Sequence, residues 1–141
     1  MCLFDYQLLY THLDIDKCFC NAIGVANQSV IPDNQMKASS FYHWSGVYDA
    51  PHYGRLHGNR GDGWCASTGN GNDWLQVDLG KIFQLCGVAT QGDGDSGFGD
   101  EWVTDFKLSY SLNENNWTIY EDGNGTEVVR LLVFTAIQKE I

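Results

Sequence analysis

With 141 residues, a formal net charge of −10 and only eight Lys and Arg, the chain has the length of one domain and lacks the clustered cations that neutralise nucleic-acid phosphates. The same charge opposes capture by an anionic membrane. Five Trp spread along the sequence and only two Pro exclude a disordered tail and indicate a packed domain.

The opening MCLFDYQLLYTHLDIDK carries Asp5 inside its apolar run and has neither a basic flank nor a small-residue cleavage site, so a secretion signal has to come from elsewhere. Further on, period-two alternation dominates. In WLQVDLG, Leu75, Val77 and Leu79 share one face and Trp74, Gln76 and Asp78 the other, with Gly80-Lys81 ending the strand. Leu85 to Thr90 predicts a second strand. TDFKLSYSL puts Thr104, Phe106, Leu108, Tyr110 and Leu112 on one side and Asp105, Lys107, Ser109 and Ser111 on the other, then restarts beyond NENN as WTIYED. That pattern predicts a hairpin with an Asn-rich turn. VVRLLVFTAI is almost continuously apolar, too short for the roughly 20 residues of a membrane span, and is read as a buried strand. No window forms an amphipathic helix. Short strands between Gly, Asn and Asp clusters indicate an antiparallel sandwich or barrel.

The five cysteines, Cys2, Cys18, Cys20, Cys65 and Cys86, contain no CxxC, so zinc and thioredoxin-type chemistry lack their spacing, and an odd thiol is left over. Sequons headed by Asn27, Asn116 and Asn124 fit a glycosylated extracellular protein.

The words IGVANQSVIPDNQMKASS, RLHGNRGDGWCA, WLQVDLGK, GVATQGD and EWVTDFKLSYS…WTIYEDGNG follow one another in an order that resembles the F5/8 type C, or discoidin, domain. The resemblance implies a distorted jelly-roll β-sandwich without enzymatic activity or cofactor. One end of it carries loops that in various members bind carbohydrate, anionic phospholipid, collagen or other cell-surface partners. It covers residues 18–127, leaving 1–17 as an N-terminal extension and 128–141 as a divergent tail. The family continues beyond this point to a last cysteine that pairs with its first. Cys18 or Cys20 therefore lacks its usual partner, and the sandwich is expected to lack its last strands. Cys65 and Cys86 stand outside that terminal pair and flank WLQVDLG. A bridge between them closes a loop of about twenty residues and contributes roughly 3 kcal/mol; the alternative is two separate buried thiols.

GDGDSGFGDEW departs from an EF-hand loop: counted from Asp93, position five is Gly97, six is Phe98 and twelve is Thr104. Asp93, Asp95 and Asp100 are left as candidates for an irregular Ca2+ site. As an acid–base pair the loop fails, because a glycine-rich exposed segment offers water where a raised carboxyl pKa needs an apolar pocket. The resemblance places the segment at a protruding ligand loop, with Asp95, Ser96 and Phe98 at its tip. The companion loop, FYHWSGVYDAPHYGR, carries five aromatic rings suited to stacking on sugar faces. Trp44, Ser45 and Tyr48 are its candidate ligand residues, while Phe41 is expected to be buried. His12, His43, His52 and His57 show no ligand spacing. Arg60-Gly61-Asp62 spells an integrin tripeptide, but it stands where the family turns into a buried Trp64.

Together these features predict a non-enzymatic extracellular binding module for cell or matrix adhesion, secreted or on an ectodomain and part of a larger multidomain protein. Its expected ligand is a carbohydrate or cell-surface glycoprotein. Phospholipid membranes and integrins are the alternatives, and nucleic acid is excluded.

Overall fold

The computed structural model describes residues 2–11, 20–44, 46–57, 63–68, 71–92, 103, 106–121 and 129–138. Its strands are β1 (Cys2–Thr11), β2 (Cys20–Ala22), β3 (Met36–Ala38), β4 (His43–Trp44), β5 (Val47–Tyr48), β6 (Trp64–Cys65), β7 (Trp74–Gln91), β8 (Phe106–Ser111), β9 (Thr118–Ile119) and β10 (Val129–Gln138). Two 3-10 turns, Asp33–Gln35 and Pro51–Tyr53, are the helical content among the described residues, so the chain is all-β. Every pairing is antiparallel.

The long strand β7 organises the sheet. β10 follows one of its edges, from Ile137 opposite Trp74 to Val129 opposite Leu85. The other edge is shared between β3, opposite Leu75 to Val77, and β1, opposite Leu85 to Gln91. β8 lies outside β10 and β9 outside β8, while β2 and β6 take opposite ends of β1. The apolar run in the tail thus supplies a strand with a hydrogen-bonded neighbour along each edge. Residues 2–11, within the N-terminal extension, supply another strand of the same sheet.

WLQVDLG and Leu85–Thr90, expected as two strands, run as one. Gly80 bends the chain without ending it. Its φ of 69° is the left-handed conformation that glycine tolerates, and Asp78 Oδ1 accepts its N–H at 2.8 Å. Against β10 the register passes from Asp78 to Phe83 while the partner advances only from Val133 to Leu131, so the extra residues of β7 form a bulge.

Alternation in the first half of β7 does set the core. Leu75 and Val77 are fully buried and Leu79 nearly so, packed with Ile23, Val25, Ile31, Met36 and Trp64. Gln76, on the opposite face, is buried as well because Glu114 covers it, accepting its Nε2 at 3.1 Å. In β8 the polar side is the better covered one. Ser109 and Ser111 are buried, whereas Phe106 and Leu112, on the side with the apolar pattern, are exposed. Ser109 stands in mid-sheet, between Thr135 and Ile119 in register. Leu108 and Tyr110 still pack on the core from mid-strand. The hairpin beyond β8 forms as expected, with Tyr110 opposite Thr118, and Asn113 Oδ1 accepting the N–H groups of Asn115 and Asn116 at 3.0 Å each.

Cys65 is disulfide-bonded. The bridge to Cys86 expected from the sequence does not fit the register. Cys65 faces Cys2, whereas Cys86 lies between Leu85 and Gly87, which face Tyr10 and Leu9. Cys2 and Leu9 are separated along β1 by roughly 23 Å at about 3.3 Å per residue. A disulfide holds its Cα atoms within about 7 Å.

Candidate functional site

The aromatic loop that follows β3 is built on a polar foundation. Asp73, 3% exposed, receives three hydroxyls: Ser39 Oγ at 2.9 Å and Ser40 Oγ at 2.8 Å on Oδ1, and Thr68 Oγ1 on Oδ2. Each serine also accepts a backbone N–H, Ser39 from Trp74 at 3.0 Å and Ser40 from Ser67 at 3.1 Å. A buried carboxylate is tolerated only when its lone pairs are met in this way. Three chain segments, 39–40, 67–68 and 73–74, are thereby locked to one side chain.

From this base the backbone rises into a hairpin. Trp64, fully buried, donates Nε1 to Ser40 O at 2.9 Å. Tyr42 donates its N–H to Cys65 O at 2.7 Å and accepts the N–H of Asp49 at 3.1 Å. Above that closure β4 and β5 pair, His43 with Tyr48 and Trp44 with Val47. Gly46, between the two strands, has a φ of 89° and open space where a Cβ would project. The backbone therefore carries Trp44 next to the reversal and Tyr48 two positions beyond Gly46.

Phe41 contradicts its expected burial. It is 41% exposed and Tyr42 40%, with His43 exposed beside them. The core position at this end is already filled by Trp64, whose bond to Ser40 O leaves the next residue pointing out of the packed interior. A pair of half-exposed rings on a doubly hydrogen-bonded backbone is a pre-organised apolar surface, the kind that binds without first losing much entropy.

Below the hairpin, Arg55 is buried and donates to Val25 O and, at 2.7 Å, to Asp33 Oδ1. His52 Nε2 lies 4.0 Å from the other Asp33 oxygen, so this histidine serves a structural cluster. No group of His, Cys, Asp or Glu arranged to hold a metal occurs among the described residues.

Ser45, Arg60, Gly61, Asp62, Asp93, Asp95, Ser96, Phe98, Asp100, Asn124 and His12 lie outside the described residues. Asn27 and Asn116 are exposed, and the Asn27 side chain accepts the N–H of Ser29 at 2.9 Å within its own sequon. Asp73 and Asp49, which hold the loop from below, carry no sequence signal. Asp73 is more than thirty residues from the serines it joins, and no local pattern announces such a contact.

The profile of the F5/8 type C domain matches residues 35–138. Mouse lactadherin (Mus musculus) is 40% identical over 113 residues, covering 75% of this chain and 23% of its own length. Human epithelial discoidin domain-containing receptor 1 (Homo sapiens) is 35% identical over 122 residues, 84% of this chain and 13% of the receptor. Human contactin-associated protein 1 is 39% identical over 90 residues, 63% of this chain and 6% of that protein. The chain thus spans less than a quarter of the length of these relatives.

Proposed function

Because the chain belongs to the F5/8 type C, or discoidin, domain family, we propose that it is a non-enzymatic extracellular binding module of cell or matrix adhesion, engaging a carbohydrate or cell-surface glycoprotein through its 41–48 hairpin. The fold is that family's jelly-roll β-sandwich. The observation that supports the ligand reading is the exposed pair Phe41 and Tyr42 on a backbone pinned by the Tyr42–Cys65 and Asp49–Tyr42 hydrogen bonds. Sugars present C–H faces that stack on such rings, and their hydroxyls are met by flanking polar groups. Trp44, Tyr48, Asp95, Ser96 and Phe98 are the further ligand residues that the resemblance nominates. As in the relatives, whose lengths exceed the chain several-fold, the module works within a larger multidomain protein, secreted or on an ectodomain.

A glycan array and a cell-adhesion assay test this directly, with anionic vesicles and purified integrin as parallel probes. Binding to glycans or glycoprotein that is lost with the hairpin aromatics supports the proposal. Retention on anionic vesicles alone, or on integrin through Arg60-Gly61-Asp62 alone, overturns it. The charge of −10 works against the vesicles.

A further inference from the structure

We infer that the disulfide partner of Cys65 is Cys2, so that a covalent cross-strand link fastens the start of β1 beneath the 41–48 hairpin. Cys65 is disulfide-bonded, and the register sets Cys2 directly across from it, with Leu3 across from Trp64. Opposed residues of an antiparallel pair have Cα atoms about 4.5 to 5.5 Å apart, inside the span a disulfide requires.

The other cysteines are excluded by position. Cys86 is placed beside Leu9 and Tyr10, roughly 23 Å along β1 from Cys2 at about 3.3 Å per residue. Cys20 faces Thr11 at the far end of β1, roughly 30 Å from Cys2 by the same rise. Cys18 is two residues from Cys20, and two residues of chain reach at most about 7 Å, too little to close that gap.

In forming the bond, the two thiols lose two protons and two electrons. The electrons pass to a protein disulfide of the oxidising compartment, which leaves as a dithiol. The link closes the chain from residue 2 to residue 65 and reaches the candidate site through Cys65 O, the acceptor for Tyr42 N–H at 2.7 Å. It also fixes β6 and thereby Trp64, whose Nε1 holds Ser40 O at 2.9 Å. The bond needs the oxidising compartment but not the proposed ligand, so the ligand reading can fail while this one stands.

Tryptic mapping of the full secreted chain without reduction gives a clear assignment, because Lys17, Lys37, Arg60, Lys81 and Lys107 separate the cysteines into peptides 1–17, 18–37, 61–81 and 82–107. The expected product is peptide 1–17 joined to 61–81, two hydrogen atoms lighter than their sum. Peptide 61–81 joined to 82–107 or to 18–37, or released with an alkylatable thiol, overturns the assignment. In a Cys2→Ser variant, Cys65 becomes alkylatable if the assignment holds, and stays blocked if another cysteine is its partner.

Discussion

The guanidinium of Arg55 reaches the carboxylate of Asp33 at 2.7 Å while its other nitrogen serves the carbonyl of Val25, a residue with no exposed surface. The two contacts differ in weight. Asp33 keeps 35% of its side chain in water, so its ion pair is screened, whereas the Val25 carbonyl has no access to solvent. Arg55→Met should therefore destabilise by about 2–3 kcal/mol, most of it the unmet carbonyl, while Asp33→Asn should cost less than about 1 kcal/mol. Urea unfolding of both variants decides the matter; equal losses would mean that the ion pair carries the stability.

Asp73 has a different role, because its one carboxylate gathers three hydroxyl donors from two separate segments, 39–40 and 67–68. Asp73→Ala leaves those hydroxyls without their acceptor in a buried site and should cost about 3 kcal/mol. Asp73→Asn keeps an acceptor oxygen and should cost about half as much. Amide hydrogen exchange should rise at Tyr42 and Asp49 in the Ala variant, since their hydrogen bonds rest on this foundation. Unchanged protection there would show that the hairpin stands without it.

The first half of β7 was legible because Leu75, Val77 and Leu79 alternate cleanly and all three are buried. Its continuation past Gly80 was not, because a glycine that ends a strand and a glycine that bends one look alike until a partner strand fixes the register. The faces of β8 misled because position in the sheet outweighed polarity: Ser109 lies mid-strand between Thr135 and Ile119, whereas Phe106, opposite Gln138, begins the strand at its exposed end. In the site, composition located the aromatic loop, but the outward position of Phe41 depends on Trp64 filling the interior more than twenty residues away. The pairing of Cys2 with β6 was hidden for the same reason, since strand pairing between residues 2 and 65 leaves no trace in local pattern.

Lys37 and Glu114 join β3 to the β8–β9 turn at 2.8 Å, and each shifts the other's titration. The hydrogen bond from Lys37, then that from Gln76, holds the Glu114 carboxyl below its ordinary range, and the hydrogen bond to Glu114 raises the Lys37 ammonium. A lowered carboxyl adds stability above its unfolded pKa and loses it as pH falls through the folded value. A raised ammonium adds stability below its unfolded pKa and loses it as pH rises through the folded value. The contribution should therefore be flat near neutrality and fade at both the acid and the strongly alkaline ends. With side chains 52% and 40% exposed, the coupling in a Lys37→Ala, Glu114→Ala double-mutant cycle should stay below about 1 kcal/mol and shrink in salt. Glu114→Ala alone should cost more than Lys37→Ala, because it also strips the buried Gln76 amide of its acceptor.

Phe41 and Tyr42 offer the sharpest test of the proposed surface. Their rings are about two-fifths exposed, yet the backbone beneath them is held by bonds that side-chain truncation does not touch. Phe41→Ala and Tyr42→Ala should each leave stability within about 1 kcal/mol of the parent. If the rings anchor the ligand, each should weaken glycan or glycoprotein binding by about 2 kcal/mol, roughly thirtyfold, and Trp44→Ala, in the adjoining strand β4, should behave alike. Calcium enters as a separate variable: if Asp93, Asp95 and Asp100 hold a cation that orders the second loop, chelation and the Asp95→Asn, Asp100→Asn variant should lower binding to the same extent, and chelation should then have no further effect on that variant. Binding that survives loss of all three aromatics, with the fold verified by circular dichroism, would move the site away from this hairpin and leave the exposed rings as its cover. Binding that falls with the aromatics but ignores chelation would assign recognition to the rings and leave the acidic loop without a metal.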